Sequence, residues 1–175
     1  MSVSTMNLNG LIKDLDKLSD LDLRRAVGRG ISIVQQAAKL GVHVQNGELR
    51  NSIFTDVREQ DGKVIGTCYT NKRYANYVEF GTGPRGQANH EGISPNVAVA
   101  YEQSPWWIHE GSRPNEVDRD TAERYGWFYI DTPQGRFYQC TGSEAHPFMY
   151  PALKNNEEII VKEMSRYTQE AIRRR

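Results

Sequence analysis

The sequence predicts an α+β chain, with helices toward both ends and β-hairpins between them. Three observations carry this. Apolar residues recur at helical spacing near both termini. Two pairs of strand-forming runs each flank a short turn sequence. All seven prolines fall between Pro84 and Pro151, so a proline-free frame brackets a turn-rich middle. Eleven of the 17 aromatic residues also lie between Tyr101 and Tyr150, which makes that middle the place to look for packing or interface anchors.

The elements follow in order. Leu8, Leu11, Ile12, Leu15 and Leu18 form a first helical stripe. Ser19 followed by Asp22 reads as a variant capping box that opens a second helix, with the stripe Leu23, Val27, Ile31, Val34 and Ala38 and a stop at Gly41. Gly28 and Gly30 each weaken that helix by about 1 kcal/mol relative to alanine, which points to a kink or to close packing there. Ser52–Glu59 and Lys63–Thr70 flank Asp61-Gly62, a strong hairpin signal. Trp127–Ile130 and Gly135–Cys140, around Asp131-Thr132-Pro133-Gln134, predict a second hairpin, and Trp106-Trp107-Ile108 a further strand. Gly111–Thr121 is polar and predicted to be exposed. After Pro151, Leu153, Ile160, Met164, Tyr167 and Ala171 trace one face of a long terminal helix. Burying four large side chains of that face contributes roughly 6–12 kcal/mol gross, an upper bound before entropy.

Composition narrows the function. At 175 residues the chain fits one domain, 1–175, with 84–143 as an extended loop and hairpin insertion. The 22 basic and 22 acidic residues cancel, so no global field advertises nucleic acid or an anionic membrane, and copies of the chain do not repel one another. Hydrophobic residues make up only 38% and mean hydropathy is −0.69, which leaves little apolar surface for a second core. Cys68 and Cys140 form no CxxC pair and read as reduced cysteines in or beside strands. No apolar run approaches the ~18–20 residues of a membrane span, and the N-terminus has no secretory pattern, so a protein made and kept soluble in a cytoplasm is expected.

Chemistry is sparse. His43, His90, His109 and His146 have no partner at metal-ligand spacing, and His109-Glu110 lacks the second histidine of a zincin. Gly81-Thr82-Gly83-Pro84-Arg85-Gly86 lacks the Lys-Ser/Thr of a phosphate loop and reads as a tight turn. No nucleophile elbow is present, and Asp56 and Glu79 have no arranged catalytic partner. No catalytic residue, cofactor site or metal site is therefore assigned. Trp106 and Trp107 read as core or subunit-interface residues, with a stacking platform for a sugar or base as the alternative. Arg173, Arg174 and Arg175 oppose the dipole of the terminal helix and read as its solvated end rather than as a nucleic-acid contact.

Three segments are worded more specifically than secondary structure requires. They are Gly47-Glu48-Leu49-Arg50-Asn51-Ser52-Ile53, then Tyr74-Ala75-Asn76-Tyr77-Val78-Glu79-Phe80-Gly81-Thr82-Gly83, then His146-Pro147-Phe148-Met149-Tyr150-Pro151-Ala152-Leu153. In this order they resemble the tail-component family of long-tailed phages of the HK97 type, whose members carry such segments before a C-terminal helix. The middle zone from Pro84 to Ser143 is longer than a minimal member needs. The resemblance implies N-terminal helices, an antiparallel sheet and a long C-terminal helix packed on that sheet. It also implies a non-enzymatic virion protein that forms a ring, of six copies, in the neck between head and tail. Its partners would be copies of itself and neighbouring connector, head-closure, tail-terminator or tube proteins. Genome DNA would pass through the channel without sequence-specific binding, and no membrane would be involved.

The candidate interface and structural residues are Tyr74, Tyr77, Glu79, Phe80, Trp106, Trp107, Phe148 and Met149. Tyr74, Tyr77, Val78 and Phe80 are expected as an apolar cluster on a short helical turn ended by Gly81. Glu79 within it is expected to make an ion pair or hydrogen bond, and Phe148 and Met149 to form a rigid apolar plug before the terminal helix. Gln87–Thr121, with Tyr101, Trp106 and Trp107, is expected to be an excursion that reaches a neighbour. The alternative function is a binding module, an adhesin or sugar binder, using exposed aromatics.

Overall fold

A computed structural model describes residues 20–43, 47–89, 91–112, 119–124 and 126–174. The stripe from Leu8 to Leu18 and the Ser19 cap lie outside them, as do His90 and Arg175. In chain order the described elements begin with α1 (Asp20–Gly41), α2 (Glu48–Asn51), β1 (Ile53–Gln60), β2 (Lys63–Thr70), α3 (Ala75–Phe80) and α4 (Gly83–Ala88). They continue with β3 (Trp106–His109), α5 (Arg119–Arg124), β4 (Tyr129–Thr132), β5 (Gly135–Cys140), α6 (Met149–Lys154) and α7 (Glu157–Arg173). Helices are interspersed with strands that pair only antiparallel among the described residues, which is the α+β class. Contacts divide the chain into two compact units: residues up to Lys72 together with those from Phe148 on, and Arg73–Pro147.

The first unit is built on α1, the element that packs against β1, β2, α6 and α7. Of the apolar stripe read from the sequence, Val34 and Ala38 are buried and Val27 and Ile31 half-buried, Ala26 is buried beside them, and Leu23 stays at the surface. Two glycines set how closely the layers approach. A Cβ on Gly30 would lie 2.9 Å from Met164 Sδ and 3.1 Å from Ile160 Cγ2 of α7. A Cβ on Gly66 of β2 would lie 2.8 Å from Val27 Cγ1 and 3.2 Å from Ile31 Cβ of α1. Gly28, by contrast, has ordinary room, with Val57 Cγ2 at 4.0 Å.

The hairpin joins β1 to β2 in unbroken register from Ile53↔Thr70 to Gln60↔Lys63. Asp61 (φ 52°) and Gly62 (φ 69°) both turn left-handed, as the two-residue type I′ turn demands. At the other end of the hairpin, the first sequence motif forms a corner. Leu49 and Ile53 are buried, and the buried Ser52 hydroxyl donates to Leu49 O at 2.8 Å and meets Thr70 Oγ1 at 2.7 Å. Gln35 of α1 donates to Ile53 O at 2.8 Å, and Lys72 pairs with Glu48 at 3.0 Å.

The terminal helix is real but differs from its expectation in two ways. The layer lying on the hairpin is α1, and α7 packs on α1. The reason is that α1 is apolar on two sides, with a glycine admitting α7 on one and the glycine of β2 admitting α1 on the other. The stripe is also interrupted at Asn155-Asn156, where Asn156 Nδ2 donates back to Ala152 O at 2.9 Å. That break takes Leu153 out of register, leaving it 48% exposed, while Tyr167 and Ala171 are buried. Phe148 sits before α6 at 2% exposure, its Cβ 3.4 Å from a Cβ built on Gly41.

The second unit contains a three-stranded antiparallel sheet ordered β3-β5-β4, so the two hairpins belong to separate sheets. Thr82 and Ser143 add an isolated antiparallel bridge. Residues 91–105 carry no helix or strand, yet Tyr101 is tied down by a 2.8 Å hydrogen bond from its hydroxyl to Phe80 O.

Two outcomes test this packing. Gly66→Val should cost about 1–3 kcal/mol by overpacking, read by chemical denaturation, whereas Gly28→Ala should raise stability by up to about 1 kcal/mol. Equal effects of the two substitutions would contradict the close approach at Gly66. Phe148→Ala should cost roughly 3–5 kcal/mol, and an unchanged melting curve would contradict its place in the core.

Candidate assembly surface

The candidate residues occupy three places. Tyr74, Tyr77, Glu79 and Phe80 lie on or beside α3, Trp106 and Trp107 on β3, and Phe148 with Met149 at the start of α6. The first two groups belong to the second unit and the third to the first unit.

In α3 the expected apolar cluster is divided: Val78 and Phe80 are half-buried, while the two tyrosines lie at the surface. Helical spacing puts Ala75 and Glu79, four apart, on the inner side, with Glu79 only 6% exposed. Tyr77 is 63% exposed and Tyr74 is also on the surface, so these rings are presented outward rather than packed. Gly81 ends the helix, its N–H bonding Tyr77 O at 3.0 Å and its φ at 70°. A Cβ there would strike Ala145 N and Ser143 O, both at 2.7 Å, and Gly86 Cα at 2.8 Å. Gly86 in turn leaves no room between Gly81 and Tyr101, and Gly83 faces the Trp106 ring. The glycine-rich run is thus a backbone crossing, stitched by Thr82 N to Ser143 O at 2.9 Å and Arg85 N to Thr141 O at 3.2 Å. These donors face protein carbonyls, but the run is a tight turn only at Gly81 and Thr82; from Gly83 it continues as helix α4.

The sheet separates the two tryptophans. By strand alternation Trp106 shares a face with Ile108, Tyr138, Cys140 and Tyr129, and that face holds the buried Tyr138 and Cys140. Arg136 lies 3.9 Å over the Tyr129 ring and bonds Asp131 at 2.7 Å, and this hydrogen bond holds the Asp131 carboxyl below the usual carboxylate range. Trp107 faces the other way, with His109, Phe137, Ile130 and Phe128, whose O accepts from Gln139 N and so continues the ladder. On this second face Trp107 is 43% and Phe128 62% exposed, their rings 6.0 Å apart edge to face, and Ile130 is also at the surface. A contiguous aromatic surface of this kind marks a contact face more often than scattered exposed apolar residues do.

Sequence reading had found Trp107 but not Phe128 and Ile130, although the strand-forming run around them was the available signal. Tyr101, expected on a docking excursion, is instead bonded within its own unit. The thiols of Cys68 in β2 and Cys140 in β5 are free and pushed up by burial, which keeps them protonated and unreactive. In the first unit, Arg29 lies 4.7 Å over the Tyr167 ring and bonds Glu163 at 3.1 Å, and Arg174 pairs with Glu170 at 3.5 Å, so part of the terminal basic charge is matched locally. Among the described residues no three His, Cys, Asp or Glu side chains are grouped to hold a metal ion, and no helix is long and apolar enough to cross a membrane.

Residues 9–81 match the family model described as "Bacteriophage HK97-gp10, putative tail-component". The matched span includes α1, the hairpin and α3, hence the first sequence motif and the second as far as Gly81, while the third lies beyond it. The resemblance read from the residues and the family match therefore coincide on phage tail components. No curated protein and no solved structure gives a significant match.

The glycine crossing gives a direct test. Gly81→Ala should destabilise the second unit by at least about 1–3 kcal/mol, because both the positive φ and the backbone clash oppose it. Limited proteolysis should then cut within Arg73–Pro147 ahead of the rest of the chain. Parent-like resistance would contradict the crossing.

Proposed function

We propose that this chain is a structural virion subunit of a tailed phage that assembles into a ring, of six copies, in the neck. There it completes the tail and joins it to the head. The observation that carries the reading is the family match over residues 9–81, joined to the third motif in family order after it. The motif residues support it by their use: Ser52, Ile53, Gly81 and Phe148 shape corners and cores, which leaves function to exposed surfaces. In this reading Tyr74, Tyr77 and the Trp107–Phe128 face meet neighbouring copies or neck proteins, Glu79 and Phe148 hold the fold that presents them, and DNA passes through the ring without base-specific contact.

The exposed pair Trp107 and Phe128 also favours a second reading, a sugar-binding module. One experiment separates the two. Purified protein in negative stain should show rings with a central channel. Trp107→Ala/Phe128→Ala should melt like the parent yet yield heads and tails that fail to join, a loss of interface anchors costing roughly 2 kcal/mol or more. Glycan binding by a parent that never assembles, abolished in the double variant, would replace the neck reading with the sugar-binding one.

A further inference from the structure

The zero net charge of the chain hides a local sorting on the first unit. There α1 and α7 run in opposite directions, with Gly30 beside Ile160 and Met164, Arg29 on Glu163, and Arg25 toward Arg174. Between them opens a groove of about 420 Å³, lined by Arg25, Gly28, Arg29, Ser32, Tyr167 and Arg174. Positions 25, 28, 29 and 32 recur at helical spacing and so share one face of α1. Among the described residues, none that lines the groove is acidic.

Two carboxylates stand beside it. Glu163 takes Arg29 at 3.1 Å and Arg166 at 2.7 Å, and Glu170 takes Arg166 at 2.8 Å and Arg174 at 3.5 Å. Arg25 pairs with no carboxylate among the described residues, so four guanidiniums are answered by two carboxylates. The side chains of Arg29 and Arg174 are 50% and 73% exposed, so these pairs are weak and an incoming anion can displace them. Arg29 also lies 4.7 Å over the ring of the buried Tyr167, which holds its guanidinium over the groove. The Ser32 hydroxyl is engaged with Gly28 O at 2.7 Å, which leaves the guanidiniums as the side-chain donors on offer.

Gly28 has no packing reason to be glycine. A Cβ there would meet only Val57 Cγ2, at an ordinary 4.0 Å, whereas one on Gly30 or Gly66 would collide. Glycine is a poor helix former, so its use at 28 lies elsewhere: it keeps the floor of the groove bare. Arg25 and Arg29 stand one helical turn apart, roughly 5–6 Å between Cβ atoms, and Arg174 joins them from the end of α7. Guanidiniums spread in this way suit oxyanions in series better than one carboxylate, and neighbouring phosphates on a nucleic-acid strand have a comparable separation. The planar fork of each guanidinium matches the paired oxygens of a phosphate.

We infer that the α1–α7 groove binds phosphate oxyanions, with Arg25, Arg29 and Arg174 donating to their oxygens without regard to base sequence. The inference goes beyond the neck reading and does not depend on it, because binding is read on the purified chain. The probes are a fluorescent mixed-sequence DNA duplex, followed by anisotropy across a salt series, and inorganic phosphate, followed by calorimetry. Arg25→Ala and Arg174→Ala should each weaken duplex binding by about tenfold and reduce the salt slope by about one. Arg73→Ala, the same charge change in the second unit, should bind like the parent. Gly28→Met lays a flexible, uncharged chain into the groove and should weaken binding with the salt slope unchanged. Melting curves check that each variant is folded.

Duplex binding that inorganic phosphate reverses only in large excess assigns the phosphates to a nucleic-acid backbone. One inorganic phosphate bound per chain, lost in Arg25→Ala, with no duplex binding, assigns them to a free phosphate; the groove chemistry holds in both cases. Three results overturn it: neither probe binds, Arg73→Ala loses as much as Arg25→Ala, or poly-glutamate binds as tightly as the duplex. The last would give the groove to an acidic protein partner. Rings in negative stain from a chain that binds neither probe would sink this inference and leave the neck reading standing.

Discussion

The first unit depends on the close approach of α1 to its two neighbours. A helix buried on one side needs a single apolar stripe, but α1 is covered by the hairpin and by α7, and two glycines set the distances. Gly66 takes the crest of Val27 and Ile31, and Gly30 takes Met164 and Ile160. Small residues add to the effect, since Ala26, Ala38 and Ala171 are all buried. A two-stranded hairpin has no independent stability to speak of, so its eight-residue strands exist because α1 covers one face of them. Among the described residues of this unit, no further strand pairs with either edge of the hairpin.

The second unit solves a different problem with the same residue type. Its chain must cross itself where α3 ends and the 141–145 segment returns, and glycine at 81, 83 and 86 lets backbone lie against backbone and ring. Once that crossing is fixed, Tyr77 and the Trp107–Phe128 surface are held on short, well-bonded elements rather than on free loops. The consequence for function is consistent across both units. Residues that look motif-like in sequence build the frame, and the chemistry offered outward is aromatic surface and guanidinium charge. Such groups suit assembly with large, repeated partners.

Much of the frame was legible before the structure. Period 3.6 located α1 and α7, the Asp61-Gly62 turn located the first hairpin to within a residue, and Phe148 between prolines marked a core position. The failures have physical causes. The apolar stripe of the terminal helix reads smoothly through Asn155-Asn156, because a break depends on local hydrogen bonds such as Asn156 to Ala152, which periodicity does not register. Tyr74 and Tyr77 read as one apolar cluster with Val78 and Phe80, yet the helical phase is set by the buried Ala75 and Glu79, which turns Tyr77 outward. Trp106 and Trp107 looked like one feature because adjacent in sequence; strand alternation sends them to opposite faces. The partners of Trp107 on its face come from a different hairpin strand, and only the β3-β5-β4 order brings them together.

The central claim is that this fold presents surfaces for joining virion parts. The most direct measurement is a cryo-electron reconstruction of the intact phage particle that contains the chain, with its fold placed in the density. The account predicts a closed ring of copies encircling the DNA channel where head meets tail, with the Trp107–Phe128 face against a neighbouring protein. Finding the chain only at the distal tip or on receptor-binding fibres, or finding no copy of it in the mature particle, would contradict the account.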